Sequence, residues 1–151
     1  MLTPESLRER LLKAKLADED SLRGCKATEL NKIERKFKCK LPKAYKGIMK
    51  VIGKSAGLYL EDVEYTYPEV LSLREDAEEI LGEFETELPD NCFVFAGRGG
   101  DQFFLFLLEH DDPKVIRWLN SNPDKFTVVA KSLTRFFENE LVLYEDLMSE
   151  N

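Results

Sequence analysis

Histidine occurs once in these 151 residues, tryptophan once and cysteine three times, and no apolar run approaches the length of a membrane span, roughly 20 residues. Each scarcity removes a class of function. His110 stands between an apolar run and Asp111, Asp112 and Pro113, a turn context. It has neither partners at metal-ligand spacing nor a recognisable orienting group for nucleophilic catalysis. Cys25, Cys39 and Cys92 are odd in number and lack a CxxC spacing, so they read as reduced thiols acting as small hydrophobes. The opening MLTPESLRERLLKAK is an amphipathic helix without the apolar core of a signal peptide. A cytoplasmic protein without a membrane segment is expected. There is no low-complexity stretch, linker or repeat, and the chain is 43% hydrophobic, so one domain over residues 1–151 with its own core is expected.

Charge is plentiful and unevenly placed. Residues 1–60 carry 15 Lys and Arg against 7 Asp and Glu, whereas residues 61–90 carry 12 acids against Arg74 alone; the whole chain is −7. One account is solvated helix faces whose opposite charges meet in the fold. The other is an acidic surface presented to a basic partner, since complementary fields speed encounter and suppress wrong partners.

Apolar spacing then sets out the elements. Thr3 and Pro4 start a first helix carrying Leu7, Leu11 and Leu12 to about Leu16. Leu30, Ile33 and Phe37 mark a second helix from Ala27 or Thr28 to Lys38. Pro42 opens a third, with Tyr45, Ile48, Met49 and Ile52 inward and Lys43, Lys46 and Lys50 outward, stopping at Gly53. LYLEDVEYTY is too charged for a core strand and predicts short edge strands or a loop. Ser72 and Glu75 form a capping box for a fourth, acidic helix with Ala77, Ile80, Leu81 and Phe84 at helical spacing. LPDNCFVFA and QFFLFLL predict a central strand pair covered on both faces, and KVIRWL and KFTVVA two further strands. Ser132 caps a last helix with Leu133, Phe136, Phe137, Leu141, Tyr144 and Leu147 as its apolar stripe. The order predicts an α+β domain, N-terminal helices and a C-terminal helix packed on a largely antiparallel twisted sheet.

The glycine cluster AGRGGDQ between the two central strands tests for a phosphate site and fails. A phosphate loop needs Lys and Ser or Thr after its last glycine and then a helix, but Asp101, Gln102 and a strand follow. A hairpin turn uses glycine for its positive backbone angles, and that reading puts Arg98 at the exposed tip. With 29 acids, no carboxylate pair stands out as general acid and base. The lysines of residues 26–54 lack interleaved aromatics and glycines, so nucleic acid is not expected as a partner. No catalytic, metal-binding or cofactor-binding residue is assigned.

Read together, RGCKATELNKIERKFKCKLPKAYKGIMKVIGKSAGLYLEDVEYTY resembles the opening of the SUKH superfamily, bacterial immunity proteins related to the yeast cell-wall assembly regulator. Gly24 and Cys25 match its start, Glu29, Leu30, Ile33 and Glu34 its helix, Leu41, Pro42 and Tyr45 its Leu-Pro-x-x-Tyr element, and Gly53 and Gly57 the glycines that follow. The strand pair, DPKVIRW and SLTRFFENEL continue the series, so the resemblance spans about residues 21–145 and leaves residues 1–20 as an added N-terminal helix. Two positions depart from the pattern. Lys38 stands where the family often has glycine, which predicts a different helix end, and Lys26 replaces a small polar residue and weakens a cap.

The matched residues are mostly core and turn formers: they identify a fold, and a fold hosts many functions. The resemblance implies a non-catalytic immunity protein that neutralises a cognate toxin domain, a nuclease or deaminase. It also leaves open a regulatory scaffold acting on endogenous signalling or cell-wall proteins. For partner contact the expected surface is Glu61, Asp62 and Glu64 within the acidic run to Glu87, with Tyr59, Tyr65 and Tyr67 as aromatic anchors and Arg98 on the hairpin tip.

Overall fold

The computed structural model describes residues 1–150. Helix α1 (Pro4–Lys13) begins with a reciprocal cap: the Ser6 N–H donates to Thr3 Oγ1 at 3.1 Å and the Thr3 N–H to Ser6 Oγ at 2.8 Å. It buries Leu7 and Leu11 and ends before the expected Leu16, because Lys15 turns into the left-handed region at φ 59°. Leu16 still reaches the core from that turn.

A two-stranded ladder follows that the sequence had not announced. β1 (Leu22–Arg23) pairs antiparallel with β2 (Ser55–Ala56). Between them lie α2 (Ala27–Phe37) and α3 (Lys43–Ile52). α3 buries Tyr45, Ile48, Met49 and Ile52, the inward set that the periodicity predicts. Lys38 corrects an expectation: it adopts φ 50° and ψ 49°, the same left-handed cap that glycine would supply, so the helix end keeps its geometry and bears the strain. At the other end of α2, lysine offers no acceptor, and the helix relies on the Lys26 N–H donating to Glu29 Oε1 at 2.8 Å.

Residues 57–62 are turns, and the loop that follows pairs with the main sheet at an isolated bridge, Glu64 with Gly97, closed by N–H to O contacts of 2.8 and 2.9 Å. Helix α4 (Val70–Gly82) starts earlier than the Ser72–Glu75 box requires. The backbone is already helical at Glu69, and burying Val70 and Leu73 completely fixes the start there, which leaves Ser72 and Glu75 as exposed residues inside the helix.

The sheet is an antiparallel meander, β3 (Cys92–Arg98), β4 (Gln102–Leu107), β5 (Val115–Leu119) and β6 (Phe126–Ala130), in that spatial order. Gly99 and Gly100, at φ 63° and 73°, make the β3–β4 turn. Residues 92–97 are all buried because the sheet is covered on both faces. Adjacent residues of a strand point to opposite faces. Phe104 meets Phe136 of α5 (Leu133–Ser149) at 5.0 Å between ring centres, while Phe103 packs on Trp118, itself against Phe84 just beyond α4. On the α5 side Phe93 stands edge-on to Phe37 and to Tyr45, each at 5.4 Å. Helices therefore sandwich the sheet in a single α+β domain. Of the expected α5 stripe, Leu147 departs: it lies in the last turn of the helix and is 58% exposed.

Candidate functional site

Three segments meet at the hairpin end of the sheet: the loop 61–64, one face of α4 from Leu73 to Ile80, and the glycine turn. Their residues surround a cavity of about 250 Å3, with Leu73, Ile80 and Phe103 as apolar floor and Glu64, Asp76 and Glu79 as its ionisable groups. The Glu64–Gly97 bridge fixes the distance between loop and hairpin, and it places Glu64 across from α4. None of these three carboxylates has a cationic side chain within 4 Å among the described residues, whereas Glu75 and Glu78 are held by Lys36 at 3.9 Å and Arg74 at 3.0 Å. Some acids of the run therefore pair within the fold, and others face outward unpaired.

The expected contact residues separate into groups. Glu61 and Glu64 are exposed, as the expectation requires. Asp62 is exposed but already engaged: Tyr144 donates its hydroxyl to Asp62 Oδ1 at 2.6 Å, and Arg98 Nε lies 3.1 Å from Oδ2. The Tyr144 hydrogen bond and the Arg98 charge hold this carboxyl below its ordinary pKa against a smaller opposing effect of burial. Arg98 is not a free tip. Its side chain is folded back between Asp62 and, at 4.0 Å, Glu140 of α5. Burial raises the Glu140 pKa above the ordinary value, with Asp62 adding to the rise and Arg98 opposing it.

Tyr59 and Tyr65 are corrections to the expected surface. They are 1% and 4% exposed, and their hydroxyls donate to the Phe137 and Ile52 carbonyls at 2.7 and 2.9 Å. Alternation in a charged run suggests surface rings, but the turns at 57–62 let the chain bring Tyr59 in against α5 and Tyr65 against the end of α3. Loss of water raises both phenol pKa values. Tyr67 is half-buried and stays at the margin of the surface. Asp76 and Glu79, within the acidic run but not singled out in it, became visible only when the hairpin was placed beside α4.

The thiols are far from reactive. Cys25 and Cys92 are buried, all three cysteines are free, and burial raises the Cys25 pKa to about 11. Among the described residues there is no group of three or more His, Cys, Asp and Glu that could hold a metal ion, and no helix is long and apolar enough to cross a membrane.

The sequence model of the SMI1 / KNR4 family (SUKH-1) matches residues 24–139. No curated protein matches the chain.

Proposed function

Because the chain belongs to the SMI1 / KNR4 family (SUKH-1), known as an immunity-protein superfamily, we propose that it is a non-catalytic immunity protein that binds a cognate toxin domain and neutralises it by occupying it. The observation that carries the reading is the set of unpaired carboxylates, Glu64, Asp76 and Glu79, around an apolar-floored cavity, with Glu61 exposed on the adjoining loop. A lysine or arginine laid into that cavity places its methylenes on Leu73, Ile80 and Phe103 and its charge among the acids. Enzymes that attack nucleic acid, nucleases and deaminases among them, carry such basic side chains for phosphate contact. A protein covering those side chains blocks substrate without any chemistry of its own.

The test is co-purification of the chain with the product of the gene beside it, followed by assay of the isolated complex. A one-to-one complex in which the partner's toxic activity is lost supports the reading. A partner that proves to be an endogenous signalling or cell-wall protein supports the scaffold alternative instead.

A further inference from the structure

At the far end of the sheet a second cleft has the opposite charge. Gly100, beside the acidic cavity, precedes β4, and Asp111 and Asp112 follow it, so the two sites are separated by the length of that strand, roughly 20 Å for six residues. The second cleft has a volume of about 830 Å3 and an apolar floor of Leu2, Leu41, Ala44 and Ile48. That volume lies within the ordinary range of small-ligand sites, about 300–1,000 Å3.

Its charged rim is Lys40, Lys43, Lys46 and Lys50. Lys46 is 3.1 Å from Glu34, but the other three have no acidic side chain within 4 Å among the described residues. Helices α1, α3 and α5 all begin at this cleft, through Thr3, Lys43 and Thr134. Their positive ends add to the lysines. Thr3 and Ser132 cap α1 and α5, whereas Pro42 before α3 has no side-chain cap to give. The opposing charges are Asp111 and Asp112, and Asp112 already accepts the Thr134 N–H at 3.0 Å.

A second observation points into the same space. Thr134 is 9% exposed, the one buried residue outside the apolar and tyrosine set, and it lines the cleft. Its hydroxyl makes no hydrogen bond to any described residue. The hydroxyl is open to the cleft rather than sealed in the core, so an incoming acceptor can take its hydrogen bond.

We infer that this cleft binds a small amphipathic anion, with an apolar chain on the Leu2–Leu41–Ile48 floor and a carboxylate head at Lys43, Lys50 and the Thr134 hydroxyl. The apolar floor selects against inorganic anions, and the rim selects against cations and neutral amphiphiles. This site does not depend on the immunity reading, since it shares no residue with the acidic cavity.

The test titrates the full chain with sodium decanoate, 1-decanol and decyltrimethylammonium, followed by calorimetry and amide chemical shifts. The expected result is saturable one-to-one decanoate binding with shifts centred on residues 41–50, 111–112 and 134, and at least tenfold weaker binding of the other two. The surface variant Lys43→Glu/Lys50→Glu weakens decanoate at least tenfold with an unchanged melting temperature. Thr134→Val, which keeps the shape and removes the hydroxyl, weakens it about threefold. Absence of saturable binding, equal affinity for decanol, or indifference to the lysine reversal overturns the inference.

Discussion

Arg98 reaches across from the hairpin to Asp62, its Nε 3.1 Å from Oδ2, and so ties the glycine turn to the loop that carries the exposed acids. The same guanidinium is the cation nearest to Glu140, at 4.0 Å. Arg98→Ala is expected to cost about 1–2 kcal/mol in urea unfolding, because a largely buried carboxylate loses its counter-charge. It also frees Asp62, so association with a basic partner should become faster. A slower association would show that Arg98 itself touches the partner.

Glu140 supplies a pH dependence with a definite sign. Its folded pKa lies above the ordinary 4.5, chiefly through burial, with Asp62 raising it and Arg98 lowering it. The folded state therefore holds this proton more tightly than the unfolded state does. The associated stability is fully present below about pH 4.5 and is lost as pH rises through the folded pKa. Urea melts between pH 4 and 7 should show a smaller loss of stability with rising pH in Glu140→Gln than in the native chain. Parallel curves would count against the assignment.

Tyr59 and Tyr65 offer a test of core against surface. Tyr59→Phe and Tyr65→Phe each remove a buried hydrogen bond, to Phe137 or Ile52, while keeping the ring. Each should lower stability by about 1 kcal/mol and leave the partner's association rate unchanged. A rate change without a stability change would restore these rings to the interface.

Lys38→Gly should stabilise the protein. At φ 50° and ψ 49° the lysine pays a steric cost that glycine does not, and relief of about 0.5–1 kcal/mol is expected as a higher melting temperature. Gly24 gives the opposite case. A Cβ there would lie 1.7 Å from the Lys50 carbonyl oxygen, so Gly24→Ala should cost about 3 kcal/mol or more.

Most of the architecture is legible in the sequence itself. Helical spacing marked the inward residues of α3, and the glycines between two apolar runs marked the β3–β4 turn, because both signals are local. Local signals misled at α4, where the buried Val70 and Leu73 outweighed a capping box at Ser72. The family's glycine pattern misled at Lys38, which accepts strain to keep the chain path. The site was half legible. Charge bias pointed to residues 61–90, but which acids stay unpaired depends on Arg74, Lys36 and Arg98, which reach them from other elements or along the helix. Alternation at Tyr59 and Tyr65 gave no hint of the turns that carry both rings inward.

The central claim is that the unpaired acids around the α4–hairpin cavity recruit a basic toxin domain. Its most direct test is the association rate constant with the partner that co-purifies, at low and high salt, for the native chain and for Glu61→Lys/Glu64→Lys/Glu79→Lys. All three positions are exposed, so the fold should survive. The account predicts association slowed at least tenfold at low salt, a flattened salt dependence and weaker neutralisation. An unchanged rate, salt dependence and neutralisation would contradict it and place the interface elsewhere.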